Sequence, residues 1–174
     1  MRSDGLWDIE AKLCDTKTHD LVSVAKGEIK AGTPIHLMWL RITLDDTLKI
    51  HDAQAQTEAA PFHICPQAAE HYRGLVGMRI GPGWNKMVRA KFGGKFGCTH
   101  LTEMLSVMAT VAIQTIYPYR NMQPDSPEEA RMRLHPSLPN SCYGFARDGE
   151  IIRRYWPEYA EPNAAQANDG SKID

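Results

Sequence analysis

The sequence predicts an α+β domain in which an antiparallel sheet comes first and helices pack on one face of it. Within residues 5–57, apolar and polar residues alternate in several short runs, as they do in half-buried strands. From residue 66 the apolar residues recur at helical spacing instead, and the longest such run begins at residue 99. Strands followed by helices, without alternation between them, are typical of the α+β class.

The strands are bounded by turn residues. Residues 5–17 form the first strand, because Trp7, Ile9 and Leu13 alternate with charged residues. Further strands are expected over residues 21–28, 35–44 and 48–57, with turns at residues 32–34 and 45–46. The last two strands form a hairpin, so the sheet is antiparallel.

Three helical stretches follow. A short helix begins at Pro66 and ends before Gly77, which is suited to a C-cap. Residues 84–91 are expected to form a helical turn, and residues 99–117 a long helix. The apolar stripe of the long helix comprises Leu101, Met104, Leu105, Met108, Val111, Ala112 and Ile116.

The length of 174 residues fits one domain. We expect a single domain over residues 1–162, with a core at about 33–117 and a proline-rich C-terminal capping extension over 118–162. The extension should contain a short charged helix at 128–133 and a hairpin turn at Asp148-Gly149 between extended segments. Residues 163–174 are poor in apolar side chains, which predicts a disordered tail.

Charge and hydropathy exclude several classes of function. The 20 Lys and Arg residues nearly balance the 21 Asp and Glu residues without long runs of either sign, which argues against binding nucleic acid or an anionic membrane. No stretch approaches the roughly 18 apolar residues of a membrane-spanning helix. The N-terminus lacks the pattern of a signal peptide, so we expect a cytoplasmic protein whose cysteines are thiols or ligands rather than disulfides.

The glycine-rich segment 93–97 delivers Cys98 and His100 to the start of the long helix. A thiol at a helix N-terminus faces unpaired N–H groups and the positive end of the helix dipole, which favour its thiolate. Such a cysteine can bind a metal ion or attack an electrophile. The alternative interpretation is a small buried core residue.

Other candidate ligands also lie at element ends, where side chains can converge. His36 begins a strand, and His63 and Cys65 precede the first helix. Together with Cys98 and His100 they supply ligand types that zinc or an iron–sulfur cluster accepts. Cys14 lies in mid-strand and is expected to be a buried or half-buried thiol.

The order of these features resembles the IscU/NifU-type iron–sulfur scaffold over roughly residues 33–116. The matching segments are Pro34 to Asp46, Ile50 to Thr57, Cys65 before a helix that ends at Leu75-Val76-Gly77, and Gly97-Cys98 at the start of a late helix. The resemblance implies a sheet-and-helix core with a surface metal site. In it, His36 stands in place of the first cysteine ligand, Cys65 and Cys98 at the second and third, and His100 or His63 as a fourth.

The whole chain also resembles a bacterial family of small proteins of unknown function, through Asp4 to Glu10, Asp15-Thr16-Lys17 and Gly97-Cys98-Thr99-His100-Leu101-Thr102-Glu103. That resemblance implies no particular activity.

Three functions remain open. The first is a metal-binding accessory or scaffold protein that serves a metalloenzyme or another protein partner. The second is a small-molecule enzyme with Cys98 as nucleophile and a histidine base; His36 is preferred over His100, because helical residues two apart do not face each other. The third is an interaction module without a site. The sequence contains no phosphate-binding or dinucleotide-binding fingerprint and leaves the oligomeric state undetermined.

Overall fold

The computed structural model describes residues 1–121 and 138–161. The chain forms two compact units, Met1–Pro118 and Tyr119–Asp174. The first unit holds an antiparallel sheet followed by helices, so the predicted α+β class is confirmed.

Three long strands form the main sheet of the first unit. They are β1 (Trp7–Asp15), β4 (His36–Leu44) and β5 (Ile50–Ala59), in the order β1-β4-β5 with antiparallel neighbours. The central strand buries alternate side chains against the helices, as a period of two requires: Met38, Leu40, Ile42 and Leu44. The predicted strands at residues 5–17, 35–44 and 48–57 are thereby confirmed, with small shifts at their ends.

The prediction of one continuous strand over residues 21–28 is wrong. Two three-residue strands, β2 (Leu21–Ser23) and β3 (Gly27–Ile29), pair with each other in a separate two-stranded sheet. Gly27 has a φ of 70°, a left-handed conformation that reverses the chain and that glycine adopts without strain. The insertion of this small hairpin separates β1 from β4 in sequence, although the two strands are neighbours in the sheet.

Helical segments follow β5. The first, Cys65–Leu75, is a 3₁₀ helix, and α1 (Trp84–Phe92) is a complete α-helix rather than the single turn that was expected. A short 3₁₀ segment, Gly94–Phe96, leads to α2 (Thr99–Asn121), which continues past the predicted end at residue 117. The structure extends the predicted helical turn at residues 84–91 by one residue into a regular α-helix, because Trp84, Val88 and Phe92 share one buried face.

The core lies between the sheet and these helices. The Trp84 indole Nε1–H donates to the carbonyl oxygen of Leu105 at 3.1 Å, which ties α1 to α2 inside the core. The predicted apolar stripe of α2 is buried except at Val111, which is 41% exposed. The stripe is therefore narrower than the sequence suggested.

In the second unit, α3 (Glu150–Tyr155) lies between the 3₁₀ segments Tyr143–Phe145 and Pro157–Tyr159. The predicted hairpin turn at Asp148-Gly149 is wrong, because Gly149 is the N-cap of α3. The acidic Glu150 in the first turn and the basic Arg153 and Arg154 in the last turn complement the helix dipole. The predictions for residues 128–133 and 163–174 lie outside the described residues, and no helix within the described ranges is long and apolar enough to cross a membrane.

Candidate functional site

An open groove of about 550 Å³ lies where the start of β4, the first 3₁₀ helix and the start of α2 meet. Four of the five predicted metal ligands line it, together with a methionine and a histidine that the sequence did not single out. The ionisable and sulfur-containing side chains of this groove are His36, Met38, Cys65, His71, Cys98 and His100, with Lys95 at its edge.

Cys98 is the residue immediately before α2 and is half-buried. Its Sγ lies 4.0 Å from Nδ1 of His100 and 4.0 Å from Sδ of Met38. Because Cys98 precedes the first helical residue, its side chain can approach that of His100. The expectation that the two side chains face apart, which holds for two helical residues, is therefore wrong.

Buried contacts fix the backbone at Cys98. The Tyr72 hydroxyl accepts a hydrogen bond from the Cys98 N–H at 3.0 Å and lies 2.8 Å from the Cys98 carbonyl oxygen. It also lies 2.7 Å from the hydroxyl oxygen of Thr102, one turn further along α2. A Cβ on Gly97 would stand 2.5 Å from the carbonyl oxygen of Phe92 and 2.8 Å from the Tyr72 hydroxyl, so the close approach requires glycine. The thiol is thus carried on a rigidly held turn.

His36 is oriented by a carboxylate. Both the backbone N–H of His36, at 2.7 Å, and its ring Nδ1, at 3.0 Å, lie against Oδ1 of Asp15. The two residues face each other in the register of β1 and β4. With the Nδ1 hydrogen donated to Asp15, the lone pair of His36 is on Nε2, which is the usual arrangement of a metal-binding or catalytic histidine. Its ring packs on that of His100 with centroids 4.0 Å apart.

The electrostatics favour a neutral His100 beside an ionised Asp15. Burial lowers the pKa of His100, and the neighbouring His36 lowers it further, against the opposing effect of Asp15. Burial acts to raise the pKa of Asp15. The hydrogen bonds from the backbone N–H and the ring of His36, together with the charges of His36 and Lys17, outweigh this effect and lower the pKa overall. A neutral imidazole is the form that binds a metal or accepts a proton.

The remaining candidates are placed differently. His63 is exposed and does not line the groove, whereas Cys65 is half-buried and lines it from the first residue of the 3₁₀ helix. Cys14, expected to be at least half-buried, is exposed. Its position on β1 alternates with the inward side chains, and β1 lies at an edge of the sheet, where the outward face is open to solvent.

Within residues 1–121 and 138–161, no group of three or more His, Cys, Asp and Glu side chains is arranged so that it could hold a metal ion. Three residues of the site, Asp15, Met38 and Tyr72, have no predicted role at it. Asp15 and Met38 lie in segments that carry the family resemblances, but all three lie in regular elements whose periodicity indicates only a strand or a helix. The register of β1 against β4 would have placed Asp15 opposite His36, but the intervening hairpin hides that register in the sequence.

The model of one protein family matches residues 1–114, about two thirds of the chain, and its description is "Protein of unknown function (DUF2889)". The chain belongs to this family. The match includes every groove residue named above, so the site lies within the part of the chain that defines the family. No curated protein and no solved structure matched the chain.

Proposed function

We propose that the groove binds one soft or borderline metal ion through Cys98 and His100, and that the protein serves as an accessory or scaffold-like metal-binding protein. The observation that carries the proposal is the 4.0 Å separation between the Cys98 Sγ and the His100 Nδ1. A sulfur and a nitrogen that share a tetrahedral zinc ion lie about 3.6 Å apart, so a small side-chain movement brings both to the ion.

His36 supports the same proposal. Its ring contacts His100, and its Nδ1 is held by Asp15, which leaves Nε2 as the donor atom. Cys65, which lines the same groove, offers a further thiolate. Because the described groups do not converge as a ready-made set of three, we expect His36 or Cys65 to complete the site by a change of rotamer when the ion binds.

The resemblance to IscU/NifU-type scaffolds, in which a cluster is assembled at a surface site, suggests the kind of cargo. We extend the proposal to zinc or an iron–sulfur cluster as the cargo, and to a metalloenzyme or another protein as the recipient. A site built on free thiols suits a reducing compartment, and we therefore propose a cytoplasmic setting. A bacterial origin is proposed on the resemblance to the bacterial family alone.

Elemental analysis tests the proposal most directly. Protein purified anaerobically without an affinity tag should carry near-stoichiometric zinc or iron, and Cys98→Ala should lose it. Cys142→Ala is the matched control, because Cys142 is an exposed thiol of the second unit. Apoprotein in all three preparations, with no rise in melting temperature on addition of either metal, would contradict the proposal.

A second candidate function is nucleophilic catalysis by Cys98 on a small electrophile. Its support is the position of the thiol at the N-terminus of α2, with the imidazole of His100 as the nearest base. Under this proposal His100 takes the role that the sequence assigned to His36. Iodoacetamide should then alkylate Cys98 faster than Cys142 at pH 7, and His100→Gln should remove the difference. Equal rates for the two thiols would contradict it and, together with apoprotein, would favour an interaction module.

A further inference from the structure

Met38 contributes a second sulfur to the groove. Its side chain is 1% exposed, and its Sδ lies 4.0 Å from the Cys98 Sγ. The same Cys98 sulfur lies 4.0 Å from the His100 Nδ1. The thioether of Met38 and the imidazole of His100 thus both lie next to the thiol of Cys98.

The single proton of the Cys98 thiol cannot form hydrogen bonds to both neighbours. It can be donated to the thioether of Met38 or to the ring nitrogen of His100, but not to both at once. A cation that replaces this proton would use the lone pairs of all three donor atoms. Two sulfurs that share a metal ion at ordinary bond lengths lie about 3.8 to 4.0 Å apart, which is the spacing observed between Met38 and Cys98.

The donor set selects the metal. Thiolate and thioether are soft ligands that favour monovalent copper, whereas zinc sites are built from thiolate, imidazole and carboxylate and rarely from thioether. Charge leads to the same metal. Within the set of Met38, Cys98 and His100, the one thiolate neutralises Cu⁺ completely, whereas a divalent ion held by the same three donors would keep a net positive charge.

We infer that the groove binds monovalent copper through the thioether of Met38, the thiolate of Cys98 and the imidazole of His100. This inference rests on the proposed function: the groove that is proposed to bind a soft or borderline ion through Cys98 and His100 is inferred to bind Cu⁺ as well, with Met38 as the additional ligand. In the binding step a Cu⁺–Sγ bond forms, the S–H bond of Cys98 breaks and its proton leaves to solvent; no change of oxidation state is involved. His36 lies beside the site, with its ring in contact with that of His100.

The test is a competition for Cu⁺ against bicinchoninate under anaerobic, reducing conditions. The wild-type chain should withdraw one copper ion, and Met38→Leu should bind it at least about tenfold more weakly, because leucine keeps the volume but lacks the sulfur. Met108→Leu is the matched control, since Met108 is equally buried in the same core but does not line the groove. Zinc binding, measured against a chromophoric chelator, should be the same in Met38→Leu and wild type.

X-ray absorption at the copper edge of the wild-type complex gives an independent result that does not depend on the folding of any variant. It should show two sulfur ligands and at least one nitrogen ligand. A single sulfur ligand, or unchanged copper affinity in a folded Met38→Leu, would overturn the inference. If zinc binds through Cys98 but copper does not, only the choice of metal fails; if neither metal binds, the proposed function fails as well.

Discussion

The hydroxyl of Tyr72 contacts both backbone polar groups of Cys98, the N–H at 3.0 Å and the carbonyl oxygen at 2.8 Å. Tyr72 is fully buried, and its ring stacks on that of Phe92 with centroids 5.0 Å apart. The position of the thiol is therefore set by a side chain of the first 3₁₀ helix, not only by the helix that Cys98 precedes.

Removal of that hydroxyl should destabilise the fold and loosen the site. Tyr72→Phe leaves the Cys98 N–H and the Thr102 hydroxyl without this partner in a buried location, which costs about 1–3 kcal/mol. The free energy of unfolding in urea measures the loss. Tyr159→Phe, in a 3₁₀ segment of the second unit, is the control and should change stability less. Equal effects of the two substitutions would show that the Tyr72 hydroxyl is not important for the fold.

Substitution of Gly97 tests whether the site tolerates a side chain at this position. Any residue can adopt its φ of −165°, so only the lack of space excludes a side chain. Gly97→Ala should destabilise by about 1–3 kcal/mol, because the new methyl group would overlap the Phe92 carbonyl and the Tyr72 hydroxyl. Gly81→Ala meets no atom within 4 Å and is the control. Thermal unfolding of both variants gives the comparison, and a wild-type melting temperature for Gly97→Ala would contradict the packing argument.

The carboxylate of Asp15 should tune the proposed metal site through His36. Asp15→Asn keeps an oxygen for the His36 N–H but removes the charge that orients the ring, and we expect metal affinity to fall about 10- to 100-fold. Glu10→Gln is the control, because Glu10 lies on the same strand and its carboxylate faces Arg41 at 3.8 Å, away from the groove. Competition titrations measure both affinities. A similar loss in the two variants would argue against a specific role for Asp15.

Acid should destabilise the turn between β4 and β5. Burial acts to raise the pKa of Asp45, but hydrogen bonds from His51 and from the side chain and backbone of Thr47 lower it well below its usual value. A carboxylate with a lowered pKa stabilises the fold above the unfolded-state pKa of about 3.9, and this contribution is lost as the pH falls below that value. Urea unfolding at pH 7 and pH 3 should show a smaller difference in Asp45→Asn than in wild type.

The control for the acid experiment is Asp52→Asn on the neighbouring strand. The Asp52 carboxylate accepts the side-chain amide of Gln54 at 3.1 Å, a neutral donor. We expect this variant to keep most of the wild-type dependence on pH. If Asp45→Asn and Asp52→Asn behave alike, the turn is not the origin of the acid sensitivity.

Local patterns in the sequence were sufficient for much of the fold. The alternation in residues 5–17 predicted the first strand, the run 35–44 between two turns predicted the central strand, and the apolar spacing after residue 99 predicted the long helix. The positions of Cys98 and His36 at element ends could be read in the same way. These features depend on neighbours a few residues apart, which is the range over which side-chain periodicity acts. The same reasoning failed at Gly149, where a glycine that begins a helix resembled a turn residue.

By itself the sequence determined the α+β class, the order of the elements and the presence of thiol and imidazole groups at their ends. Only the tertiary structure decided which of these groups meet. It placed Asp15 opposite His36, brought Met38 to Cys98, and left His63 outside the groove. The physical reason is that register across an inserted hairpin, and the packing of a helix end on a sheet, arise from contacts between residues far apart in the chain, which local periodicity does not encode.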